Sequence, residues 1–199
     1  MTAPGFLSIG HISHRAALIG RVIDRLAQTP LAGVEIAITA GPPAWQARVA
    51  ALRQGQPTTR PERRISDAAG FFHWLDLAAG EYTLGAAVPG TRYAVASATA
   101  MVGAGAPARI ELALAPTAVA GTVRSAALAG PLGMARVRFA DSGEVTYTAA
   151  DGSFTLSPVE AGASRALEVS AQNHVTTIQT VTLPVGQLTA AVTITLARG

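Results

Sequence analysis

The sequence predicts an all-β fold of two tandem seven-stranded β-sandwich domains, the first with a short helical insert. Three observations carry this prediction. Apolar and polar residues alternate in short runs punctuated by Gly, Pro and Asp, the period-two pattern of half-buried strands. Two ordered blocks of residues recur along the chain at consistent displacements. Finally, 49% of the 199 residues are hydrophobic but only ten are aromatic (two Trp, three Tyr, five Phe). That inventory suits two thin cores of Val, Leu and Ile better than one wide core.

Residues 1–15 form an arm ahead of the first strand run. Phe6, Leu7, Ile9 and Ile12 lie there without helical spacing, and a disordered tail carries fewer apolar residues. An extended arm that pairs with a neighbouring sheet is therefore expected, giving a route to self-association. The arm also lacks the basic start and apolar run of a signal peptide, which predicts synthesis and folding in the cytoplasm.

The first sandwich is expected over residues 16–115 and the second over 116–199. The runs Ile19–Ile23 and Val34–Ile38 alternate as strands, and a displacement of 101 residues carries them into the second copy. Gly20 falls on Gly121, Val22 on Val123, Pro30 on Pro131, Leu31 on Leu132, Ile36 on Val137 and Ile38 on Phe139. Glycine inside a strand marks a bulge or a close backbone approach, and Pro fixes φ where the chain turns toward its second strand. Further along the displacement is 82: Gly70 falls on Gly152, Phe72 on Phe154, Trp74 on Leu156, Leu77 on Val159 and Gly80 on Gly162. The difference, 101 against 82, gives the first copy 19 additional residues between Gly41 and Ser66. Asp151-Gly152 reads as a tight hairpin and Asp67–Gly70 as a longer version of it, with both aspartates capping their turns.

The insert, residues 42–64, has its own character. Pro43 suits a first helical position and Ala44–Gln54 is rich in helix formers. Trp45, Val49 and Leu52 are spaced to share one helix face, with Arg48 and Arg53 projecting elsewhere. Arg60, Arg63 and Arg64 follow, and five arginines against Glu62 alone give the segment +4. One reading has the helix cap an open end of its own sandwich, burying Trp45 and leaving the arginines solvated. The other has Trp45, Arg48, Val49, Leu52, Arg53, Arg60, Arg63 and Arg64 dock a protein partner with an acidic surface, since aromatic and arginine anchors are common at interfaces.

The order Gly-x-Val (Gly20–Val22), Pro-Leu-x-Gly (Pro30–Gly33), Asp-x-x-Gly-x-Phe (Asp67–Phe72) and Leu-x-x-Gly-x-Tyr-x-Leu (Leu77–Leu84) resembles the carboxypeptidase regulatory-like family. That resemblance implies a seven-stranded sandwich of transthyretin-like topology that acts as a spacer, adhesive unit or folding adjunct. The second copy departs from it where Gly162 is followed by Ala163-Ser164-Arg165. The arginine-rich insert and the cytosolic composition are similar to accessory proteins of phage-tail-like contractile injection systems, which implies assembly in the cytoplasm and release within a particle. The competing expectation is an exported carbohydrate- or protein-binding adhesion module.

No enzyme and no cofactor are expected. His11 and His14 form a His-x-x-His with no third ligand of obvious geometry. His73 alternates with Phe72 and Trp74 and so faces solvent, and His174 lies in a turn. No Gly-x-Ser-x-Gly elbow supports a Ser–His–Asp site. Transthyretin-like topology is shared by a purine-pathway hydrolase whose chain ends Tyr-Arg-Gly-Ser/Thr, but this chain ends Leu196-Ala197-Arg198-Gly199. The net charge of +3 comes from fifteen arginines, scattered rather than gathered on a face with interleaved aromatics, which argues against nucleic acid. No uninterrupted apolar run approaches membrane-spanning length, and the absence of cysteine removes disulfides and thiolate metal sites.

Overall fold

The fold is that of a computed structural model, which describes residues 15–56, 58 and 60–199. The arm expected over residues 1–15 lies outside the described residues except for Arg15. Strands β1 (Ala16–Asp24), β2 (Glu35–Ala40), β3 (Arg63–Ile65), β4 (Phe71–Leu75), β5 (Gly80–Ala87), β6 (Ala96–Val102) and β7 (Ala108–Leu114) build the first module. Strands β8 (Ala118–Ser125), β9 (Arg136–Phe139), β10 (Val145–Tyr147), β11 (Ser153–Leu156), β12 (Gly162–Ser170), β13 (Thr177–Leu183) and β14 (Leu188–Leu196) build the second. Helix α1 (Pro43–Gly55) lies between β2 and β3.

The two modules share one topology. In the first, sheet β4-β1-β7 faces sheet β3-β2-β5-β6, and in the second, β11-β8-β14 faces β10-β9-β12-β13. β1 runs parallel to β7 and β8 parallel to β14, while the other strand pairs are antiparallel. This arrangement fits the transthyretin-like sandwich implied by the resemblance. Each module closes over its own core. Leu18, Val22, Ile36, Trp74, Tyr82, Leu84 and Leu112 anchor the first, and Val123, Val137, Phe139, Leu167, Val169 and Ile194 the second.

The repeat extends to single hydrogen bonds. The Ser66 hydroxyl accepts from Val34 N (3.0 Å) and donates to Leu31 O (2.7 Å). Thr148 repeats both bonds with Ala135 N (2.9 Å) and Leu132 O (2.6 Å). Gly70 and Gly152 both have φ +77°, and a Cβ on either would sit 2.5 Å from the carbonyl oxygen of Val22 or Val123. At Gly121 a Cβ would strike the Val192 carbonyl, beside an irregular register in β14, whereas at Gly20 it would strike the Phe72 ring. Close approach thus accounts for both strand glycines.

Three sequence expectations change. The hairpin at Asp151-Gly152 is the same four-residue turn as Asp67–Gly70, not a tighter one: Gly70 N donates to Asp67 O and Gly152 N to Ala149 O, each at 2.9 Å. The capping aspartate simply occupies a different corner, Asp67 taking Ala69 N and Phe71 N, and Asp151 taking Ser153 N and Oγ. The insert is shorter than 42–64, because Arg63 and Arg64 already form β3 and pair with Ala37 and Ile36. Finally, the second copy fills the place of its missing tyrosine with an arginine. The register of β12 shifts between Gly162 and Arg165. Beyond that point Leu167 faces Phe139 as Leu84 faces Ile38, and Val169 faces Val137 as Ala86 faces Ile36. Arg165 therefore takes the position of Tyr82. Tyr82 Oη donates to Ala78 O (2.9 Å), and Arg165 Nη1 donates to the corresponding carbonyl, Glu160 O (2.7 Å).

Candidate functional site

Pro42 precedes the helix without a side-chain cap, Pro43 opens it, and Gln46 Nε2 reaches back to Gly41 O (2.8 Å). The chain therefore enters the helix by proline geometry rather than by a polar N-cap. α1 lies over the open end of its own sandwich. Trp45 is 7% exposed, meets Tyr82 edge-on at 6.1 Å and joins the core, and Val49 packs half-buried beside it. Leu52 is exposed. Trp45 and Val49 thus keep the expected face and Leu52 leaves it, while Gln46, Val49, Ala50 and Arg53 line a cleft of about 280 Å³ against Ile38–Gly41 and Glu62.

The arginines of this region are engaged within the chain. Arg48 Nη1 donates to Asp76 O (3.0 Å). Arg53 pairs with Glu62, which is 8% exposed. Burial pushes the Glu62 carboxyl up, but its own backbone amide, Arg53 and the charge of Arg60 together bring it below the usual range. Arg63 bonds Glu35 across the β2–β3 pair (2.7 Å). Arg64 lies over the Trp74 ring (5.4 Å) and bonds His73 O, and burial lowers its pKa. Of the eight residues expected to contact a partner, Trp45 and Val49 pack on the core of the first module, while Arg48, Leu52, Arg53, Arg60 and Arg63 are exposed. The four exposed arginines are as the capping expectation has them, and Arg64 is half-buried. The guanidinium groups of Arg48, Arg53 and Arg64 keep contact with solvent while donating to the carbonyl oxygens and the buried carboxylate beside them.

A second polar cluster, not anticipated from the sequence, joins the modules. The β5–β6 turn of the first module enters a notch between the β9–β10 and β11–β12 loops of the second. Glu160 Oε2 accepts from Thr91 Oγ1 (2.6 Å) and Thr91 N (3.1 Å), and Oε1 accepts from Arg92 Nε (2.9 Å). Arg92 Nη2 reaches Glu144 (3.0 Å). Thr91 Oγ1 also accepts from Ala161 N (3.0 Å). Thr91 and Arg92 together hold the Glu160 carboxyl below its ordinary range. Gly90, at φ +92°, faces the same carboxylate, where a side chain would be strained.

The fully buried linker residue Thr117 is tied on both sides. Its N–H donates to Arg92 O, its hydroxyl donates to Thr91 O and accepts from Gly186 N, and its carbonyl accepts from Val159 N. Behind the notch, Arg165 stacks on Phe139 (4.3 Å) and donates to Asp141 (2.6 Å) and Ser142 (2.9 Å), so it orders the loops that receive the turn. The one sequence signal was the departure of the second copy from tyrosine.

Two further pairs are explained by the repeat. Tyr93 Oη donates to Asp24 (2.9 Å), and burial followed by that carboxylate raises the phenol's pKa. At the corresponding place, His174 Nε2 meets Ser125 Oγ (3.0 Å) and Nδ1 meets Gln172 O (2.8 Å). The equivalent bridges Tyr93–Pro116 and His174–Arg198 fix the correspondence. The Ser–His pair is therefore the second module's version of a brace at the sandwich end. His73 is exposed, as its alternation predicts.

No protein-family model matches the chain, and no curated protein does. Solved structures of similar shape include the shaft pilin SpaA of Lactobacillus rhamnosus GG, at 9% identity over 94% of this chain and 98% of that one, with a TM-score of 0.46. A streptococcal ancillary pilin matches at 13% identity over 92% of this chain and 62% of that one, TM-score 0.37. At such scores neither likeness carries an argument about function.

Proposed function

We propose that the chain is a structural protein that works as a stiff two-module unit within a larger protein assembly. The observation that supports this reading is the junction. Thr91 and Arg92 tie the two sandwiches through charge-assisted bonds to Glu144 and Glu160, and Thr117, which belongs to the linker, is fully buried and adds neutral bonds to the same turn. Modules joined by a flexible linker move independently by default, whereas a spacer that sets the distance between partners needs a joint that holds its angle. The finer form of the proposal, an accessory component of a contractile injection particle, rests on the sequence resemblance alone. Affinity recovery of the tagged chain from native lysate, followed by mass spectrometry and sizing, tests both. Recovery in a stoichiometric complex is expected, with tube, sheath or baseplate proteins if the finer form holds. Recovery as a clean monomer contradicts the assembly role.

A further inference from the structure

The end of the second module that receives the first has a counterpart on the first module, and α1 covers it. Glu62 and Glu144 correspond under the displacement of 82 residues. The carbonyl of each accepts from the strand beside it, Ile38 N to Glu62 O (2.8 Å) and Phe139 N to Glu144 O (3.4 Å). Each has Oε2 buried without a hydrogen-bond partner, and each gives Oε1 to one arginine. For Glu144 that arginine is Arg92, from the docked turn of the neighbouring module. For Glu62 it is Arg53, from α1. Next to each glutamate, the carbonyls of Ala78 and Glu160 are held by Tyr82 and Arg165, which occupy the same place in their sheets. α1 also fastens Asp76 O through Arg48, so it spans the two loops equivalent to those that form the second module's notch.

We propose that α1 is a built-in stand-in for a preceding module. It closes the acceptor end of the first sandwich with the same ion pair that a docked module would supply, and the surface beneath it fits the β5–β6-type turn of another such module. The occupant this surface would take is the turn Gln172-Asn173-His174 from the second module of a second copy, which corresponds to Thr91-Arg92-Tyr93. With α1 in place the acceptor end of the first module is closed. This inference goes beyond the assembly reading and does not depend on it.

The test replaces Thr39–Pro61 in the full chain with Ala-Asp-Ser-Gly, the loop at residues 140–143, and follows self-association by sedimentation velocity. Uncapping is expected to tighten head-to-tail association at least about tenfold over the native chain, because a fitted charged surface becomes available. Asn173→Arg, which restores the Arg92-type contact, should tighten it further, and adding Glu62→Gln should reverse that gain. A folded, uncapped Asn173→Arg chain that associates no more tightly than the native protein overturns the proposal. Where the loop replacement fails to fold, Trp45→Ala with Arg53→Ala releases the helix from the same surface. That variant is read the same way: tighter association supports the stand-in role, and unchanged association, with the helix shown to be released by hydrogen exchange, overturns it.

Discussion

Trp45→Ala probes whether the insert belongs to the first module's core. Trp45 is 7% exposed, lies edge-on to Tyr82 and is the buried residue of the helix. Truncating a buried aromatic to Ala costs about 3–5 kcal/mol when the site cannot collapse. Here the site can relax in part, because Leu52 is exposed and no side chain caps the helix start. The lower end, about 3 kcal/mol, is therefore expected. For a module of this size that corresponds to a fall of roughly 12–24 °C in its melting temperature. Both tryptophans, Trp45 and Trp74, belong to the first module. In the variant Trp74 remains as a buried reporter, its Nε1 bonded to Pro61 O (3.0 Å). Urea unfolding followed by tryptophan fluorescence then reads the first module alone. A loss below about 1 kcal/mol, the usual effect of a surface substitution, would refute the reasoning that the helix is part of the core.

Arg165→Ala should destabilise the second module by about 1–3 kcal/mol, since it leaves the Glu160 carbonyl without its donor and strips the Phe139 ring of its partner, while the exposed Asp141 rehydrates. Circular dichroism should register the loss while the tryptophan unfolding midpoint of the first module stays in place. Gly152→Ala should cost at least about 2 kcal/mol, because φ is +77° and the new Cβ meets the Val123 carbonyl. Gly103→Ala, with nothing within 4 Å, should be close to neutral in the same thermal melt. The junction should weaken in acid. The Glu160 carboxyl is depressed in the folded chain by Thr91 and Arg92, so its contribution is complete above the ordinary glutamate range and is lost as pH falls through the lowered value. Amide exchange at Thr91 and Ala161, measured by NMR, should accelerate only in that acid window, and in Glu160→Gln it should be fast at neutral pH.

The tandem sandwich was legible because each repeated position has a backbone or packing reason. Gly70 and Gly152 hold left-handed turns against a carbonyl, while Ile36 with Val137 and Ile38 with Phe139 keep inward parity. The helix was legible from Pro43 and the helix formers after it, and so was its packed face at Trp45 and Val49, although the exposure of Leu52 was not. How far along the helix the contact runs depends on the sheet residues beneath it, which lie outside the helix. The partners of Arg48 and Arg64 are backbone carbonyls of Asp76 and His73, and no residue pattern announces an acceptor of that kind. The junction was hidden for a related reason. Thr91, Arg92, Glu144 and Glu160 are isolated polar residues in separate loops, and only the fold brings them together. Arg165 was visible as a departure from the expected tyrosine, yet the bulge that moves it into the tyrosine's place shows only in the strand register.

The most direct test of the central claim is the distribution of distances across the junction. The chain contains no cysteine, so a Cys pair at the exposed positions Arg109 and Thr180 can carry spin labels without background. Pulsed electron paramagnetic resonance on that pair should give one narrow distance distribution in the native junction, broadened when Arg92 and Glu160 are both replaced by Ala. A broad distribution in the chain with its junction intact would contradict the account.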